Sequence, residues 1–173
     1  MQETPQEYTQ RILANLDSQA ASRNALHVQA ETPARLARLI EGLPASRLHE
    51  RPAPGKWSAA EILAHLAEAE IVTSWRIRHI LGASGTPIQA YDQNSWAAAG
   101  HYERRDPRKS LEQLRVLREA NLDLFTSLAP EQWTYYGIHA ERGKETIEHI
   151  TRLTAGHDLN HTKQIEALLA ERK

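Results

Sequence analysis

The chain has 173 residues, no cysteine, and 21 Lys+Arg against 22 Asp+Glu, with 40% apolar and 25% charged residues. That is the profile of one ordinary globular domain, residues 1–173, long enough to bury a core. It excludes disulfides, iron–sulfur clusters, thiolate metal sites and a cysteine nucleophile, so any metal must be held by His, Asp or Glu.

Near-neutral charge without a basic block gives no footing for nucleic acid or a charged membrane surface. The opening stretch MQETPQEYTQ lacks a basic and an apolar signal region, and no later segment approaches the length of a membrane span. A cytoplasmic protein with no nucleic-acid or membrane partner is expected.

In chain order, Thr4-Pro5 with Glu7 is an N-cap, a proline at the first helical position and a capping-box acid, which predicts a short helix to about Asp17. Thr32-Pro33 reads as a second start, with Leu36, Leu39, Ile40 and Leu43 on one face and Gly42 as the stop. The loop ERPAPGKWS ends in the clearest capping box, Ser58-x-x-Glu61, opening a long helix to about Leu81. Residues 82–107 have weak periodicity and form a connection long for a bundle. Asp106-Pro107 starts the next helix, carried by Leu111, Leu114, Leu117, Leu122, Phe125 and Leu128. After PEQWTYYGIHAERGKE, Thr146 caps a last helix that runs nearly to the C-terminus. Alternating segments rich in Val, Ile and Thr are lacking, so no strand is expected and the fold class is all-α, a four-helix bundle with a long middle connection.

In the last helix Ile147, Ile150, Leu153, Ile165 and Leu168 form a stripe, and His157 and His161 fall within it, with Gln164 beside them. In the Ser58 helix, His65 borders the stripe of Ile62, Leu66, Ala69, Ile77 and Ile80. One inward histidine is usually a satisfied core residue. Several without partners cost about 1–3 kcal/mol each, so a cluster calls for a ligand. Three neutral imidazoles from two helices suit a divalent transition metal with coordination positions left open. The stretch HDLNH puts Asp158 where a zincin has its general-base Glu, which argues against a metalloprotease.

The segments RPAPGKWSAAEILAHLAEAE, YDQNSWAAAGHYERRDP and GIHAERGKETIEHITRLTAGHDLNHTKQIEALL, in this order, resemble the DinB-like superfamily of bacterial four-helix-bundle proteins from about Thr32 onward. The most specific element is a Trp-Ser-x-x-Glu-x-x-x-His helix start paired with a C-terminal His-x-x-x-His. The resemblance implies that His65, His157 and His161 ligate a metal, commonly zinc or nickel, although three imidazoles also accept iron or manganese. It implies a thiol-dependent reaction on a small-molecule substrate, with a low-molecular-weight thiol as co-substrate, or a related hydrolase or isomerase reaction. It also admits a homodimer, which relatives often form. From a different class, a non-catalytic stress-response or binding module with a structural metal is the alternative.

Candidate catalytic residues are Glu61, Asp92 and Gln164. Glu61 is equally explained as a capping acid, Asp92 lies with Asn94 and Trp96 in the long connection, and Gln164 follows His161 on the same face. Glu68 is a candidate hydrogen-bond partner for an imidazole. Asp158 and Asn160 are expected to face solvent or to cap, His139 to be an exposed loop residue, and Trp57 and Trp133 to be packing anchors. His27, His49, His79, His101 and His149 have no partner at ligand spacing.

Overall fold

The start signals read at Thr4, Ser58, Asp106 and Thr146 are made in hydrogen bonds in the computed structural model, which describes residues 4–18 and 25–170. The first three residues of the N-terminal stretch lie outside them. Glu7 N–H donates to Thr4 Oγ1 at 3.2 Å while Glu7 returns a carboxylate to the Thr4 N–H at 2.8 Å. Asp106 accepts from the N–H groups of Arg108 and Lys109. The elements are α1 (Pro5–Asp17), α2 (Ala25–Ile40), α3 (Ala45–Leu48), α4 (Ala59–Gly82), β1 (Thr86–Ile88), α5 (Gln93–Ala99), α6 (Pro107–Thr126), β2 (Tyr136–His139), β3 (Gly143–Thr146) and α7 (Ile147–Ala170).

Helices α2, α4, α6 and α7 form a four-helix bundle. The main contacts close a ring, α4 to α6, α6 to α2, α2 to α7 and α7 back to α4. Long helices that follow one another in the chain, α2 then α4 and α6 then α7, therefore sit diagonally. Helix α1 lies outside the ring against α7. It comes close because residue 156 is glycine: a Cβ there would stand 2.6 Å from the Ile12 carbonyl oxygen.

Two readings from sequence are corrected. Helix α2 begins at Ala25, so Thr32-Pro33 is interior and not a start. Proline there removes the N–H that would bond the Gln29 carbonyl one turn earlier. That carbonyl accepts instead from Arg118 Nη1 at 2.9 Å, which is why the helix carries through. Strands also occur. β1 pairs in parallel with β2, Thr86 opposite Gly137, and β2 pairs antiparallel with β3, Tyr136 opposite Thr146. At three or four residues each they are too short to show alternation, and Gly143 at φ +77° makes the turn between the last two. This sheet closes one end of the bundle, and β3 runs straight into α7.

The apolar core is in two main parts. One gathers Leu36, Leu48, Ile62, Leu63, Leu114 and Ile165, and the other Ile77, Ile80, Ile88, Phe125, Ile147 and Ile150. Between them lies a polar belt centred on Arg118, 2% exposed. Arg118 reaches Asp158 of α7 at 2.5 and 3.2 Å and Glu70 of α4 at 2.8 Å, besides the α2 carbonyl. Asn121 donates to Glu70 at 2.6 Å and to Ser74 at 2.8 Å, and Arg78 donates to Asn121 at 2.7 Å. Burial opposes the charge on Arg118, but Asp158 and Glu70 outweigh it and hold its pKa above the ordinary value.

Replacing Arg118 with Met strands two buried carboxylates. The expected loss is about 3–5 kcal/mol of unfolding free energy, measured by urea denaturation. A loss of about 1 kcal/mol or less, the size for an exposed ion pair, would show that the belt is not needed for the fold.

Candidate metal centre

Helix α4 is set in place by its first turn. Ser58 N–H donates to Glu61 Oε2 at 2.9 Å, Glu61 N–H donates to Ser58 Oγ at 3.3 Å, and Arg51 forks onto both oxygens of Glu61. Burial would raise the Glu61 pKa, but Arg51 and Ser58 hold the carboxyl below its usual range. Of its two readings, the structure supports the cap: Glu61 is held at the helix start. One turn on, His65 points inward, with the Trp57 ring 5.0 Å from its own. Trp57 is thus the packing anchor expected of it, as is Trp133 against Phe125.

Helix α7 starts on Thr146, whose hydroxyl accepts the His149 N–H at 3.0 Å. Its His157 and His161 stack one turn apart, ring centroids 4.4 Å from one another, and both face His65 at 5.0 Å. Each of the three offers a ring nitrogen, and these nitrogens lie within 4.8 Å of one another. It is the one such group of His, Cys, Asp or Glu among the described residues. His65 Nε2 stands 2.9 Å from His157 Nε2.

The protonation states follow from the surroundings. Burial, then the neighbouring imidazoles, push the His65 pKa down to about 3 and that of His157 well below the ordinary value. Burial lowers His161 to about 4 against the opposing pull of Gln164. All three are therefore neutral at pH 7. Gln164 Oε1, which can only accept, lies 3.0 Å from His161 Nδ1. That nitrogen carries the proton, and Nε2 keeps its lone pair for the cluster.

Below the three rings opens a cavity of about 850 Å³, walled by α1, α4, α7 and the β2–β3 turn, and reached by His65, His157 and Gln164. Asp92 and Asn94 also line it. Asp92 is fully engaged as the cap of α5, accepting from Asn94 N–H at 2.9 Å and Ser95 Oγ at 2.6 Å, and these bonds lower its pKa. Trp96 stays outside, against Tyr91. Glu68, a possible partner for an imidazole by sequence, is paired with Arg105 instead.

Two expectations for single residues are overturned. Asp158 is 1% exposed and bound to Arg118, whereas Asn160 keeps a half-buried surface position and accepts from Arg11 of α1 at 2.9 Å. The reason is that α7 touches α1, α2 and α4, so it has no purely solvent face. His139 is also buried, on β2, where its Nε2 meets Arg76 at 3.3 Å. Arg118 and Glu70 are absent from any reading by motif. Their signal is positional, since Leu111, Leu114, Arg118, Asn121 and Phe125 follow one heptad seam on α6, and Glu70 lies between Leu66 and Ile77 on that of α4.

Fold and site together define a class: a helical bundle, crossed diagonally at two of its three long-helix connections, that gathers three neutral histidines and turns two of them, His65 and His157, onto a cavity. Residues 30–165 match the sequence model of the DinB superfamily, and the chain belongs to that superfamily. It is similar to YfiT of Bacillus subtilis (strain 168), 26% identical over 145 residues that span 83% of this chain and 81% of YfiT. The solved YfiT structure aligns with a TM-score of 0.78 at 25% identity, covering 83% of each chain. It is described as a probable metal-dependent hydrolase with an unusual four-helix bundle topology.

The depressed histidine pKa values set a pH dependence for chelator-treated protein. Between the ordinary value of 6.5 and about 4, the unfolded chain binds protons that folded His65 and His161 refuse. Stability is then complete above the unfolded value and declines as the pH drops through that window. The melting temperature should fall steadily from about pH 7 to about pH 4.5, and His161→Gln should flatten the slope. An unchanged slope in the variant would show that His161 is not held neutral.

Proposed function

We propose that His65, His157 and His161 hold a divalent transition metal, zinc or nickel in the first instance, and that the protein transfers a low-molecular-weight thiol to a small electrophile in the adjoining cavity. The observation that carries this reading is a trio of neutral, converging imidazoles, two of which line that cavity, in a chain without cysteine. The donor set fits such a cation. The nitrogens already converge, His161 is fixed in the right tautomer, and His65 Nδ1 is buried without a hydrogen-bond partner, so the ring is committed through Nε2.

A divalent cation in this setting supplies Lewis acidity, which makes a thiol ionisable at neutral pH and polarises an electrophile. The chain's own residues then choose between nucleophiles. The carboxylates beside the histidines on α4 and α7 are all held by arginines: Glu61 by Arg51, Glu68 by Arg105, and Glu70 and Asp158 by Arg118. None is free to take a proton from water. A thiol, with an unperturbed pKa of about 8.5, needs far less help than water at about 15.7. With no cysteine in the chain, the thiol arrives as a co-substrate. Gln164 acts by positioning His161. The likeness to YfiT favours hydrolysis as the second reading, with water in the place of the thiol.

Protein purified without a metal-affinity tag is expected to carry stoichiometric divalent metal by elemental analysis and to lose it in His157→Ala. Gln164→Leu should weaken metal affinity by about 10- to 100-fold. Metal-free parent protein would overturn the site. In a screen of thiols and water against small electrophiles, turnover that requires the thiol supports transfer, and equal turnover without it supports hydrolysis. A large drop in melting temperature on chelation, with no turnover in either arm, would mark the metal as structural.

A further inference from the structure

The cavity continues past the histidines along one face of α4, lined by His65, Ala69, Thr73 and Arg76 at helical spacing. Arg76 follows His65 by eleven residues, or about 16 Å of helix axis, and its side chain leans back toward the helix start. It is a buried residue, 8% exposed, and unlike Arg118 on the same cavity wall it has no carboxylate partner among the described residues.

Its own contacts are sparse. Nη2 donates to the Gln89 carbonyl and lies 3.3 Å from His139 Nε2, while Nε is buried with no partner at all. Nη1 donates no hydrogen bond among the described residues. Of the two acids that act on it through space, Glu145 is forked onto Arg142 at 2.6 and 3.1 Å, and Glu141 is an exposed residue of the β2–β3 turn that makes no ion pair with it. The Tyr91 ring stands 5.9 Å from the guanidinium carbon. Buried charges are normally paired, and a planar fork that lacks its carboxylate is matched best by a carboxylate.

We infer that Arg76 forms a carboxylate subsite, and that the substrate or co-substrate is an elongated molecule with a carboxylate at Arg76 and its reacting group at the three histidines. The second half of that statement rests on the proposed function. Arg76 is a binding residue, tied to the loop by Gln89 through Nη2 and open to the cavity through Nη1, with Nε behind it.

The test uses cobalt-substituted protein and a series of mercaptoalkanoic acids, from propionic to undecanoic, each beside the mercaptoalcohol of the same length. Thiol binding is followed by cobalt–thiolate absorption. At the length that spans the cavity the acid should bind roughly tenfold or more tightly than the alcohol. Arg76→Gln should bring the acid down to the alcohol and leave the alcohol unchanged, which also reports that the variant is folded. Arg76→Lys, which keeps the charge but not the fork, should retain part of the preference; if Arg76→Gln does not fold, an undiminished preference in Arg76→Lys overturns the subsite. Equal binding of acid and alcohol at every length, or an acid preference that survives in folded Arg76→Gln, also overturns it. If no thiol changes the cobalt spectrum, the thiol reading fails separately. Calorimetry with plain alkanoates and alkanols then judges Arg76 alone: acid preference lost in Arg76→Gln upholds the subsite, and no preference refutes it.

Discussion

A single guanidinium joins all four long helices. Arg118 projects from α6 and is bound at once by Asp158 of α7, Glu70 of α4 and the Gln29 carbonyl of α2. A charge this deep is tolerated only when its donors are matched, and the matching requires three other helices at fixed height and rotation. Apolar packing alone would let the helices slide by a turn at small cost. The belt forbids it, and this registers His65 on α4 against His157 and His161 on α7.

The same interaction shapes the electrostatics of the site. Asp158 follows His157 directly, so the belt and the imidazole cluster are neighbours, and the Arg118 charge adds to burial in holding the His157 pKa below its ordinary value. The arginines also remove the local acids from acid–base work. What remains around the histidines is neutral nitrogen, an amide at Gln164 and the aromatic wall of Trp57. Such an environment stabilises a cation without offering a general base. At the far end of the cavity Arg76 is a buried cation with no ion-paired carboxylate among the described residues.

Much of this was legible in the sequence. Thr4, Ser58 and Asp106 announced three helices because a cap is a local interaction, settled within four residues. The stripe of α7 located His157 and His161 because an apolar face with two imidazoles in it is itself an anomaly. What stayed hidden depends on distant partners. Pro33 looks like a start because only the tertiary structure supplies the donor that lets a helix pass through it. Asp158 looks like a surface residue because a charged side chain beside the apolar stripe is normally solvated, and only α6 could show otherwise. β1 finds β2 across about fifty residues of chain, with Gly85 N–H donating to the Tyr136 carbonyl beside the pairing, while β2 and β3 are a tight hairpin, and none of the three is long enough to have a pattern of its own.

Pro33 has a further consequence for how the molecule comes together. A helix without an interior proline can satisfy every middle carbonyl from within itself. In α2 the middle carbonyl has no internal donor, so the helix is unfinished until α6 delivers Arg118, and Arg118 cannot be buried until α4 and α7 deliver their carboxylates. Local and tertiary structure at this point are one event. The hydrogen bonds that complete α2 and those that set the height of the histidine-bearing helices thus share one side chain.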